Sequence, residues 1–144
     1  MNIQMKMAWA GLLLIASSAF GVAQAELAII AHPSQKVVGV SQDNVSDIYL
    51  GRSKTFPNGA VVEAVDQDSA SASYQQFLGK VLKMDAAALK SYWAKRIFSG
   101  KAKPPRSLGD DEAVKKWVAA NPNGLGYVQG KFVDSSVKVL LIIP

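Results

Sequence analysis

Two hydrophobic periodicities alternate along this chain. Short apolar runs at residues 26–31 (ELAIIA), 61–65, 126–128 and 137–143 have the length of buried strands. Between them lie segments whose apolar residues recur every three or four positions, the spacing of a helix that packs one face on a core. The clearest is Tyr74, Phe77, Leu78, Val81 and Leu82. Strands and helices alternating in this way predict an α/β domain, a mixed sheet flanked by helices. No internal repeat or low-complexity linker interrupts the pattern.

Local chemistry marks the helix ends. Ser41 predicts the N-cap of a helix with Val45, Ile48 and Tyr49 on one face, stopped by Gly51. Asp85 predicts the cap of a helix carrying Leu89, Trp93 and Ile97, ended by Gly100. Asp110, Asp111 and Glu112 place negative charge at the start of a further helix, with Val114, Trp117 and Val118 as its stripe. Asn121 and Pro122 close it. Tyr92, Trp93, Phe98 and Trp117 fall at helical spacing, which predicts core positions rather than an aromatic ligand box. Residues 101–107 read as a basic, proline-containing loop.

The first 25 residues read as a cleavable signal peptide. Lys6 gives a positive n-region, residues 7–16 an apolar h-region, and Ala23-Gln24-Ala25 a small-x-small cleavage site. The apolar run falls short of the roughly 20 residues that cross a bilayer. Cleavage leaves one domain at residues 26–144, expected to be periplasmic, with no stable membrane insertion. Its charge is +4, the chain's +5 less Lys6. The chain has no cysteine, so no disulfide supports an exported fold and the packed core must supply the stability. Lysines and arginines crowd residues 80–106, interleaved with apolar residues at helical spacing, which is the pattern of solvated helix faces. Export argues against a nucleic-acid partner.

The stretch AVDQDSASAS, residues 64–73, leads into the clearest helical pattern. Ser71 or Ser73 is placed to cap that helix. Serine hydroxyls and helix N-terminal N–H groups can also cradle an oxyanion. Arg52 and Lys54 follow the first helix; they supply positive charge for such a ligand or simply complement the helix dipole. His32, the only histidine, has no histidine or cysteine partner for a metal. No G-x-S-x-G elbow supports a Ser-His-Asp triad, so neither an enzyme nor a cofactor is expected.

Residues 45–52, VSDIYLGR, resemble the "L-x-x-I-F-L-G-K" helix and stop of phosphate-binding proteins of ABC transporters, the type 2 periplasmic binding proteins. Residues 121–128, NPNGLGYV, are similar to that family's "N-P-G-A-I-G-Y-V", and the likeness runs between the two through the strand, the serine turn and the helix. At this length the resemblance implies one periplasmic-binding-protein-like lobe, a short single-lobe member of the family. In the family an arginine and an "S-G-T" turn grip phosphate. Ser71-Ala72-Ser73 stands at the turn and Gln67 at the arginine. The resemblance thus implies a site for phosphate or another small oxyanion at Ser71 and Ser73. Gln67 would orient the ligand, and backbone N–H groups near Tyr74 would add donors. An ABC transporter permease or a membrane sensor would be the partner, in uptake or sensing. The departures support a second expectation, an interaction module that keeps the lobe, has lost the ligand and docks on such a partner. Gln67 lacks the fixed charge of arginine, Ala72 restricts close backbone approach, and Asp66 and Asp68 add negative charge.

Overall fold

The structure, a computed structural model, describes residues 25–144. The expected signal peptide falls almost wholly on residues 1–24, outside the described residues. Five strands, β1 (Leu27–Ala31), β2 (Glu63–Asp66), β3 (Arg106–Ser107), β4 (Gly124–Gln129) and β5 (Lys138–Ile143), form one mixed sheet in the order β3-β2-β4-β1-β5. Four α-helices flank it: α1 (Gln42–Tyr49), α2 (Ala72–Phe77), α3 (Ala86–Phe98) and α4 (Asp111–Ala120). The α/β reading holds.

β1 shows why residues 26–31 read as a continuous apolar run. It is antiparallel to both neighbours, with Leu27 opposite Gln129 of β4 and Ile143 of β5, and it is buried throughout. Alternate side chains feed two cores. Leu27, Ile29 and Ala31 join Val45, Ile48, Tyr49, Phe77, Val81, Leu125 and Tyr127 on the α1 and α2 side. Ala28 and Ile30 join Val65, Val114, Val118 and Val128 on the α4 side.

Ser41, Ser71, Asp85 and Asp110 each cap a helix by accepting the backbone N–H three residues on. Each bond satisfies one of the donors a helix start leaves free. α4 lies close against β4 because Gly126 has no side chain. A Cβ there would sit 2.5 Å from Val114 Cγ1 and 3.1 Å from Val118 Cγ2.

Four sequence expectations change. Val61 lies outside β2 and is 64% exposed, since the strand begins only where Glu63 and Ala64 find Gly124 and Leu125 on β4. The basic loop ends in a strand, because Arg106 and Ser107 pair in parallel with Val65 and Asp66. The helix read from Tyr74 to Leu82 divides into α2 and a π-helical turn, Leu78–Leu82, which stops at Lys83 with φ +54°. Phe98 is a correction: it is 95% exposed, not a core residue. α3 is anchored through Trp93, which lies against Gly51, and through Tyr92 and Arg96, which donate to the carbonyls of Leu50 and Gly51. Phe98 is five residues beyond Trp93, roughly 140° around the helix, and so faces away. Among the described residues no helix is long and apolar enough to cross a membrane.

Candidate functional site

The parallel strands β2, β3 and β4 end on the same edge of the sheet, and α2 and α4 begin there. In α/β sheets this carboxyl edge is where ligand sites gather. Asp66 closes β2, Gln67 and the serine turn follow, and Asp111 opens α4.

A closed polar network fills the inner part of this edge. Gln67 and Ser73 are each 1% exposed. Gln67 Nε2 donates to Asp111 Oδ1 at 3.1 Å and to the Tyr127 carbonyl at 2.8 Å. The Ser73 hydroxyl donates to the same Asp111 oxygen at 2.7 Å, and the Gln129 backbone N–H reaches it at 2.9 Å. Ser71 Oγ donates to Gln67 Oε1 at 3.0 Å while accepting from the Tyr74 N–H, also at 3.0 Å. Three donors therefore converge on one oxygen, and that oxygen belongs to the protein. Such a network costs little only when every member is satisfied, as these are.

Beside it lies an aromatic and acidic layer. Phe77 stacks on Tyr127 with ring centroids 4.0 Å apart, and Tyr49 tilts against both. The Tyr49 hydroxyl donates to the Val65 carbonyl at 2.8 Å. Tyr127 donates its hydroxyl to Asp66 Oδ1, which also takes the Gln67 backbone N–H at 2.9 Å. Burial pushes the Asp66 carboxyl above its ordinary range, although these two bonds pull the other way. Burial and then the nearby Asp66 raise the phenols of Tyr49, Tyr74 and Tyr127, so they remain hydrogen-bond donors at neutral pH. An open cavity of about 220 Å³ adjoins this layer, lined among others by Tyr49, Asp66, Tyr74, Lys90, Trp93 and Pro105. A larger groove of about 630 Å³ shares Pro104 and Pro105 with it and is lined also by Lys54, Glu63 and Lys103.

The structure thus brings Ser71, Ser73 and Gln67 into one bonded cluster. Tyr74 contributes its N–H to that cluster and its side chain to the cavity. Arg52 pairs with Asp47 at 2.9 Å, and His32 Nδ1 with the Ser34 hydroxyl at 2.7 Å in the turn after β1. Among the described residues no group of His, Asp and Glu is placed to hold a metal.

No protein-family model and no curated protein matches the chain. Solved structures do. A Clostridium perfringens protein assigned as a phosphate ABC transporter substrate-binding protein, with bound phosphate, superposes with a TM-score of 0.64 at 20% identity. An ABC-type phosphate transport receptor from Vibrio cholerae gives 0.63 at 16%, and PstS from Borrelia burgdorferi 0.60 at 16%. The chain shares its fold with part of each of these proteins. Each superposition covers 81% of this chain but only 45%, 46% and 47% of the respective neighbour, so the chain spans under half their length. These neighbours are binding proteins, and at such identities the likeness is one of fold.

Within this fold, sequence reasoning missed two members of the edge. Asp111 reads locally as a charge that complements the α4 dipole, and Tyr127 as part of a strand. Asp66 stands out in sequence only as an acid next to Gln67. Their partners lie 18 to 61 residues away along the chain, which no local spacing reveals.

Proposed function

We propose that this chain is an exported, single-lobe solute-binding-like protein that works as a docking module, without catalysis. It supplies one wall of a ligand cleft, and a transporter component or sensor in the membrane supplies the other. One observation carries the reading: the donors of the serine turn converge on the protein's own Asp111 Oδ1. A phosphate at Ser71 and Ser73 would have to displace that carboxyl and would meet Asp66 nearby, with no arginine in compensation.

The second reading keeps a phosphate or other small oxyanion at Ser71, Ser73, Gln67 and the Tyr74 N–H, serving ABC-type uptake or sensing. In its favour, these residues form one cluster at the start of α2, in a fold shared with a protein solved with bound phosphate. Titration calorimetry with phosphate, sulfate and small carboxylates separates the two. The docking reading expects no saturable heat with any of these anions at millimolar concentration. Phosphate binding that weakens in the Ser71→Ala, Ser73→Ala double variant would replace it with the oxyanion reading.

A further inference from the structure

We propose that the open cavity between Asp66, Tyr74 and Trp93 binds a small zwitterion through its organic ammonium group, an amino acid or a betaine by chemistry. The inference rests on the reading of the chain as a solute-binding-like lobe and names the ligand class of its cleft. It begins from Asp66. Both hydrogen bonds to this carboxyl fall on Oδ1, and neither donor is a cation. Among the described residues no lysine, arginine or histidine forms an ion pair with it. Oδ2 takes no bond from the protein, and it is not among the buried atoms lacking a partner, so it remains reachable. Carboxylates withdrawn from water are normally paired with a cation or a metal. No metal-binding group is present among the described residues, and Asp66 shares the cavity lining with Tyr49, Tyr74 and Trp93, beside the apolar Leu82 and Leu89. An acid among aromatic rings is the chemistry that holds an alkylammonium, by charge and by cation–π attraction.

The lining of the cavity also carries a charge of the opposite sign. Lys90 lines it and is exposed. It belongs to a stretch, residues 86–109, that carries six basic residues and no acidic one. A plain cation would be repelled by Lys90, and a plain anion would be repelled by Asp66. A molecule carrying both charges satisfies both ends, its ammonium on Asp66 and its acid on Lys90. A cavity of about 220 Å³ suits a ligand of that size.

Calorimetry of the purified protein with glycine betaine, a panel of L-amino acids, choline and phosphate tests the assignment. At least one zwitterion is expected to bind saturably, and choline, which has no acid end, more weakly. Asp66→Asn keeps an Oδ1 acceptor for Gln67 and Tyr127 and is expected to weaken zwitterion binding about tenfold or more. Tyr74→Ala, on the partly exposed face of α2, and Lys90→Ala are each expected to weaken it about threefold or more. The proposal is overturned if no zwitterion binds the folded protein at about 10 mM. Undiminished binding in Asp66→Asn, or choline binding as tightly as betaine, overturns it as well. Phosphate heat in the same panel would instead remove the docking reading, so the two failures are distinguishable.

Discussion

Asp111 accepts three hydrogen bonds on one oxygen, two of them from the buried side chains of Gln67 and Ser73. Asp111→Ala would strand those donors, and we expect it to cost about 3 kcal/mol in urea denaturation. Asp111→Asn retains an acceptor oxygen and should cost clearly less. Asp134 shows a different electrostatic device. The Ser136 hydroxyl, then the Ser136 N–H and Lys115, hold its carboxyl down at about 2, against an ordinary 3.8. A carboxyl lowered in the folded state stabilises the fold above its unfolded value, and that contribution fades as the pH falls from 3.8 toward about 2. Ser136→Ala removes the largest cause, so an NMR titration should find the Asp134 pKa moved upward. The serine turn at Ser71 was legible because a helix cap is a local event. The role of Asp111 was not, because its carboxyl is claimed by Ser73 on α2, Gln129 on β4 and Gln67 just past β2.

At the scale of elements, α4 and α3 make opposite use of their apolar residues. α4 presses Val114 and Val118 against Gly126, leaving no room for a methyl group. Gly126→Ala should therefore cost about 2 kcal/mol, readable as a lowered urea midpoint. α3 buries Trp93 and leaves Ile97 and Phe98 outside. Phe98→Ser should leave stability within about 0.5 kcal/mol of wild type. Periodicity found both helices, and the capping Asp85 and the acidic residues from Asp110 to Glu112 marked their starts. Periodicity could not say how far along α3 the core extends, because that depends on where the sheet and the α1 terminus lie. The two-residue β3 was invisible for a related reason: Arg106 and Ser107 carry no strand pattern, and only the neighbouring Val65 and Asp66 make them one.

The molecule as a whole is closed by its first and last strands. β5 covers one edge of β1, pairing Leu27 with Ile143, while β4 covers the other. Deleting residues 138–143 would uncover β1 and remove Leu140 and Ile143 from the larger core. We expect the shortened protein to lose its cooperative thermal transition in circular dichroism. This arrangement also dictates an order of events during synthesis. The strand made first cannot find its permanent neighbours until nearly all the rest of the chain exists, so the sheet cannot zip up behind the emerging polypeptide. That late closure of β1 fits the export we propose, since threading through a narrow translocation channel requires a chain that has not yet folded.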